Sequence, residues 1–419
     1  MNDDGKAKRI LMTAFHFPPQ AGSSGIQRTL GFVNYLPRHG WQPTVLTAHP
    51  RAYEATRDDL LAAVPPGVEI VRAQAFDTAR HFSLNGKYLR LLALPDRWWT
   101  WWPFAVRAGR EIVRRARPDL IWSTYPIPSA HLIGRALARL SGLPWIADFR
   151  DPMLSADYPP DRLRRKVWRG IEASALAEAR ACVFTTEEAA NVYRERYPAA
   201  AARCRVVANG YDEAAFADLA PTRPGLKPGA LLLLHSGVVY PRERDPGPFF
   251  AAVRALLDSN ALARDRLLIR FRAPGHDDEV RALARQHGVA DVVDVAPPLP
   301  YREALAEMMG ADGLLVFQGA AFNAQIPAKI YEYLRAARPL LALVAPDGNT
   351  ARTLAAFAAV AAADIADERG IAAALAAWLQ NLQAPELPQW LARNREDVRA
   401  FSRQAQTARF AALCDEIVA

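Results

Sequence analysis

Short apolar runs alternate with amphipathic stretches of helical period along almost the whole chain, and this alternation points to parallel α/β architecture. In the first half, runs at 9–15, 43–47, 68–72, 119–124, 143–147, 181–185 and 205–208 read as strands. Helical stretches at 24–37, 103–117, 129–141, 161–178 and 186–197 lie between them. The periodicity fails over 212–229, DEAAFADLAPTRPGLKPG, where proline, glycine and charge take over; this reads as an interdomain linker. A second series follows, with strands near 230–236, 267–272, 291–296, 312–317 and 339–344 and helices near 247–258, 276–287, 300–309 and 327–337. The tail from about 386 to 419 reads as helix, with Trp390, Val398, Phe401, Phe410 and Leu413 as buried candidates. The chain's 419 residues suit two domains, each of about 150–200 residues. Two doubly wound sheets in tandem place ligands outside the carboxyl ends of their strands, here the cleft between domains.

Composition excludes several classes. Three cysteines, Cys182, Cys204 and Cys414, are far apart and give neither a disulfide framework nor a metal spacing, and the histidines form no metal cluster. The opening MNDDGKAKR and the short run Ile10–Phe15, cut off by Pro18 and Pro19, do not make a signal peptide. The longest uncharged apolar stretch, Leu354–Ala363, falls far short of the ~20 residues of a membrane span. A cytoplasmic protein is expected, at most peripheral on the inner face of the membrane. The net charge of +8 favours anionic partners.

Three segments carry chemistry. In FHFPPQAGSSGIQRTL the prolines stop a strand, Gly22 to Gly25 allow a tight turn, and Ser23 or Ser24 can cap the next helix. Such a turn offers backbone N–H groups to an anion or a sugar hydroxyl; it is equally an ordinary strand-to-helix turn. The spacing is not G-x-G-x-x-G, and no acidic residue ends the second strand, which disfavours a dinucleotide site. In IPAKIYEYLRAARPLLAL, Pro327 suits a first helical turn, and Lys329 and Glu332 share a face opposite Ile330, Leu334 and Ala337. The preceding QGAAFNAQ is a loop of small and amide residues. A lysine at a helix start with a carboxylate one turn on suits a nucleoside diphosphate, the carboxylate taking the ribose hydroxyls; a surface Lys–Glu pair is the plain alternative. In LLLLHSGVVYPRERDPG, a buried strand, Gly237 and a basic loop place Arg242 and Arg244 where phosphate oxygens can be gripped, unless Arg244 simply pairs with Asp245.

Taken together, FPPQAGSSGIQR, IADFRDP, VFTTEEAANVYRERYP with RVVANGYDEAAF, LHSGVVYPRERDP and IPAKIYEYLRAARPLLAL resemble, in order and over nearly the whole chain, bacterial family 4 glycosyltransferases of cell-surface polysaccharide pathways. The resemblance implies a GT-B fold, two Rossmann-like doubly wound domains facing a central cleft. Residues 1–211 would bind acceptor, with a C-terminal helix of about 396–419 packing back on them, and residues 230–395 would bind donor. It implies retaining transfer from a nucleoside-diphosphate sugar, UDP- or GDP-linked, with no further cofactor and no bound metal. Arg244 falls on the family's diphosphate-binding cation, Glu332 on its ribose-binding carboxylate, Lys329 on the lysine of the pattern P-x-K-x-x-[DE]-Y, and Gly22 to Gly25 on its glycine turn. Two departures are plain. The first of the paired glutamates many members carry falls on Ala324, leaving Asn323 or Gln325 to face the transferred sugar, and an arginine often found after the strand glycine is Val238.

In IADFRDP, Asp148, Arg150 and Asp151 follow a buried strand. They are the candidates for catalysis at the acceptor hydroxyl, where the family often has a histidine, or they form an Asp–Arg–Asp network holding a loop. His131 reads as a helix residue rather than a base. Trp98, Trp99, Trp101 and Trp102 among the basic residues of 87–117, together with the basic helix DRLRRKVWRG, suit an anionic membrane surface and a glycan or lipid-linked acceptor; core tryptophans beside a solvated basic face are the alternative. Nucleic acid fits the charge but not the tandem α/β pattern. A non-catalytic scaffold in a polysaccharide assembly complex and a nucleotide-sugar epimerase are the competing functions; the Ala324 position offers an epimerase no acid or base.

Overall fold

The computed structural model describes residues 7–22, 25–84, 87–155, 158–241, 243–382 and 384–419. Ser23, Ser24 and Arg242 therefore lie outside the described residues. The chain divides into two compact units, residues 1–209 with 403–419, and residues 210–402.

In the first unit seven parallel strands are β1 (Lys8–Thr13), β2 (Trp41–Ala48), β3 (Glu69–Ala73), β4 (Leu120–Thr124), β5 (Trp145–Arg150), β6 (Ala181–Phe184) and β7 (Cys204–Val206), in the order 3-2-1-4-5-6-7. Helices cover both faces, so the central strands are buried on both sides and read as continuous apolar runs. The helices start where short polar side chains satisfy free backbone donors. Asp161 accepts from the Arg164 N–H at 2.7 Å, and Thr186 from the Ala189 N–H at 3.1 Å. β5 runs further than its apolar residues suggest: Asp148 and Arg150 belong to the strand, with a register shift against β6 between them.

The second unit has six parallel strands, β8 (Leu231–Ser236), β9 (Leu267–Arg272), β10 (Val293–Ala296), β11 (Gly313–Gln318), β12 (Leu340–Val344) and β13 (Val360–Ala363), ordered 10-9-8-11-12-13. In both sheets the order reverses beside the first strand, between β1 and β4 and between β8 and β11. Each unit is thus a parallel, doubly wound α/β sheet, as the alternation of strand and helix predicts.

Strand β13 and the helix Glu368–Asn381 lie in an alanine-rich region whose pattern is faint, and the sequence reading passes over them. What holds that helix is large side chains on one face: Ile371, Leu375 and Trp378 are all buried. Trp378 lies over Gly313, the first residue of β11, where a Cβ would come within 2.2 Å of the indole. The tail is two helices instead of one, Leu387–Asp397 and Arg403–Val418, parted at Val398–Phe401. The second packs in the first unit, where Phe410 stacks on Phe32 at 4.4 Å and the stem of Arg403 fills the space left by Gly31. Residues 212–229 are fastened to the second unit: the Thr222 N–H donates to Ala306 O at 2.9 Å, and Arg223 pairs with Asp312 at 2.7 Å.

Gly313→Ala should therefore lower stability by about 1–3 kcal/mol, the usual cost of overpacking a tight interior. Urea titration measures it, and an unchanged midpoint would refute the close fit.

Candidate functional site

At the carboxyl end of β8 the chain must turn sharply. Gly237 does so with φ +103°, a conformation that side-chain-bearing residues resist. The open side of this glycine holds the amine of Lys329: a Cβ there would lie 3.1 Å from Nζ. Lys329 is the first residue of the helix Lys329–Ala336, whose face bearing Ile330 and Leu334 is buried as the spacing predicts. Its amine meets His235, the penultimate residue of β8, at 3.0 Å from Nε2. The other ring nitrogen, Nδ1, lies 2.8 Å from Leu315 O and must donate to it. Nε2 is thereby the acceptor and Lys329 the donor. Burial, and then Lys329 itself, hold His235 well below the ordinary histidine range, so the ring stays neutral. Burial and the nearby charge of Arg244 press Lys329 from its ordinary lysine value to about 7, against the pull of Glu332.

Arg244 lies on the loop after Gly237. Its backbone N–H donates to Tyr240 O at 2.7 Å, and its guanidinium rests against the rings of Tyr240 and Phe322, 5.2 and 4.9 Å from their centres. Burial lowers its proton affinity, and its Nε is buried with no partner. Its sequence neighbour Asp245 takes the Gly247 N–H at 2.8 Å, and among the described residues no Arg244–Asp245 ion pair forms. Among the described residues neither Arg244 nor Lys329 makes an ion pair with a carboxylate. Glu332, one turn along the helix, accepts a 2.7 Å hydrogen bond from Tyr301.

The loop before this helix is built around Gln318, which the sequence reading did not single out. Its amide Nε2 lies 3.0 Å from each of Phe322 O, Gln325 O and Thr350 Oγ1 and shares its two hydrogens among them. Asn323 donates to Asp347 Oδ1 at 2.9 Å, and its backbone carbonyl receives the Asn349 N–H. Gln325 contributes its carbonyl to this frame. The structure thus gathers Gly237, Arg244, Lys329 and Glu332, while Asn323 and Gln325 help to shape the loop.

In the first unit, Asp148 at the end of β5 is fully buried and doubly held by Arg28, at 2.9 and 3.1 Å, with Thr124 Oγ1 at 3.1 Å. Arg28 also donates to Ala208 O. This leaves Asp148 committed to the fold, so the expected hand in catalysis does not suit it. Arg150 is different. It holds φ +62°, is buried, makes one long contact to Tyr125 O at 3.4 Å, and leaves Nε without a partner. Asp151 beside it takes Thr185 Oγ1 at 3.3 Å, and burial raises its proton affinity against the pull of Arg150. His16, after β1, lies within the electrostatic reach of Arg150 and was not anticipated. Burial and Arg150 push it down to about 3, so it is a neutral ring at any physiological pH. Gly22 is exposed with φ +83°, and Gly25 opens the helix Gly25–Tyr35. His131 is a core residue, its Nδ1 2.9 Å from Ser123 Oγ.

Of the four clustered tryptophans, Trp101 is fully buried and Trp98 bonds Ala52 O at 3.1 Å, whereas Trp102 is exposed. Trp168, in the basic helix, is buried and donates to Pro95 O at 2.7 Å. Among the described residues no helix is long and apolar enough to cross a membrane.

Arg28→Ala would strand the Asp148 carboxylate inside the first unit. A loss of about 3–5 kcal/mol is expected for a broken buried pair, read by chemical denaturation. A loss within experimental error would show that Asp148 is not held as described.

Residues 24–210 match the family model of the glycosyl transferase 4-like domain. No curated protein matches the chain significantly. Among solved structures, sucrose-phosphate synthase from Thermosynechococcus elongatus superposes with a TM-score of 0.67 at 18% identity, covering 98% of each chain. Anabaena HepE, solved in complex with UDP-glucose, gives a TM-score of 0.65 at 12% identity, covering 97% of this chain and 99% of its own. WaaG, a glycosyltransferase involved in lipopolysaccharide biosynthesis, gives 0.65 at 15%, covering 96% and 99%. Residues 24–210 are thus similar to the glycosyl transferase 4-like domain, and the protein is a glycosyltransferase with the GT-B fold.

Proposed function

We propose that the protein is a retaining transferase that moves a sugar from a nucleoside-diphosphate sugar, UDP- or GDP-linked, to a hydroxyl of a glycan, lipid-linked or small-molecule acceptor in bacterial cell-surface glycoconjugate synthesis. The observation that carries this reading is the pair of half-buried cations at the end of β8, Arg244 and Lys329, set beside Gly237 without a carboxylate partner among the described residues. A diphosphate supplies the missing negative charge, and a glycine without a Cβ leaves the Lys329 amine uncovered at the strand end. In this reading Glu332, one turn on, takes the ribose hydroxyls, and Asn323 and Gln325 border the sugar from the loop they help to shape. HepE, crystallised with UDP-glucose, and WaaG, of lipopolysaccharide synthesis, share the fold and lend the reading its donor and its pathway.

In this reading residues 230–395 bind the donor and residues 1–211 the acceptor. The bond between the anomeric carbon and the diphosphate oxygen breaks as the acceptor oxygen bonds to the same face of the sugar. The hydroxyl proton passes to the departing diphosphate. Arg244 and Lys329 stabilise the charge that grows on that group, which is where fixed cations lower the barrier most. Arg150 and Asp151 orient the acceptor hydroxyl.

Arg244→Ala and Glu332→Ala should each cost ~2–3 kcal/mol, on the order of 30- to 150-fold in kcat/KM. Steady-state transfer assays with UDP-glucose and GDP-mannose test this; normal turnover in both variants would remove the donor site.

The same reading places the first unit against the inner face of the cytoplasmic membrane. Support comes from exposed apolar side chains running from Phe82 to Phe104, with Leu84, Leu89 and Leu91 81%, 71% and 69% exposed and Trp102 at 42%. Lys87, Arg107, Arg110, Arg114 and Arg115 stand exposed among and after them. Apolar groups flanked by cations suit an anionic lipid surface. Binding to phosphatidylglycerol vesicles should be strong at low salt and fall as salt screens it. A sedimentation assay without low-salt binding would retire the membrane placement.

A further inference from the structure

The amine of Lys329 has an unusual neighbour. A buried lysine is ordinarily matched by a carboxylate, and here the matching group is the neutral ring of His235 at 3.0 Å, itself locked by Leu315 O at 2.8 Å. The ring cannot rotate away, because Phe271 and Phe317 pack against it at 5.8 and 5.2 Å between ring centres. Its lone pair therefore points at one place, the open side of Gly237, where Nζ sits. We propose that His235 is a positioning residue for the donor: it holds the Lys329 amine over Gly237, so that the diphosphate finds the amine already aimed and binds together with a proton. This rests on the donor reading above and adds to it a proton that the bound state gains.

The surroundings of Lys329 set the direction of that proton. His235 faces it from β8 as a neutral acceptor. Arg244 faces it from the following loop as a like charge, and Glu332 faces it from its own helix as an opposite charge already hydrogen-bonded by Tyr301. Tyr333, on the same helix, bonds the backbone of Ser236, donated the N–H at 2.7 Å. One like charge and one tied carboxylate leave the ammonium poorly matched, which together with burial presses Lys329 down to about 7. A diphosphate brings two negative charges against Nζ and makes the protonated form the stable one. Below about pH 7 the lysine already carries its proton and binding gains little. Above it, binding must draw a proton from solvent, and affinity falls. His235 accepts from the amine in either state, so the aim persists while the charge changes.

The test is calorimetric titration of the full chain with the tighter binder of UDP-glucose and GDP-mannose, run in two buffers of different ionisation enthalpy. Proton uptake of about 0.9 per ligand is expected near pH 8 and about 0.1 near pH 6, with affinity about tenfold weaker at the higher pH. Lys329→Arg, which keeps its charge throughout, should bind with no uptake and a flat pH profile. His235→Leu should move the midpoint of the affinity profile to lower pH and weaken binding, and His235→Gln, which retains an acceptor and a donor, should restore both. Wild-type binding without uptake near pH 8 overturns the proposal and leaves the donor site standing; so does a His235→Leu profile with the wild-type midpoint. If neither nucleotide sugar binds, the donor reading itself falls. Should the leucine variant fail to fold, the wild-type and Lys329→Arg titrations decide the matter alone.

Discussion

An ammonium enclosed by protein must find a counter-charge, find acceptors, or give up its proton, because burial strips it of water. The second unit is arranged around this constraint at the end of β8. His235 supplies one acceptor, Leu315 fixes the ring that supplies it, and Gly237 leaves the amine's open side free of any Cβ. Arg244 adds a second cation against two aromatic rings and leaves one buried donor unmet. Such a site is incomplete in charge by construction. In the proposed reading a diphosphate completes it.

The carboxyl ends of the first sheet show the contrast between a charge that is settled and one that is not. Asp148 and Arg28 form a closed, bidentate pair with Thr124 as a third partner, so this pair fixes the helix Gly25–Tyr35 on β5. Two residues further, Arg150 sits in a left-handed conformation with a single long contact. Backbone strain and an unmet guanidinium at a strand end belong with function more often than with packing. Asp151 and a neutral His16 border it.

Much of this was legible from local pattern. Strand runs and helical stretches follow from apolar spacing, and most strands fall within a few residues of where that spacing puts them. The pairing of Lys329 with Glu332 on one helix face needs only the three-residue interval between them. Where pattern was weak, reading failed for identifiable reasons. The alanine-rich stretch around β13 lacks contrast between faces, and its helix is anchored by Trp378 against Gly313, a contact between distant segments. β5 was cut short because its last residues are charged, and only the Arg28 pair makes burial of Asp148 tolerable. In LLLLHS the histidine reads as one more core residue.

The sequence by itself determined the two parallel sheets, the glycine that ends β8, and the residues that carry charge near it, because these depend on intervals of a few residues. Which charges are answered was decided by the tertiary structure. Lys329 meets His235 across 94 positions, and Arg28 meets Asp148 across 120. Partners so far apart are chosen by strand order and helix packing, and burial then turns each choice into a matched pair or an open charge.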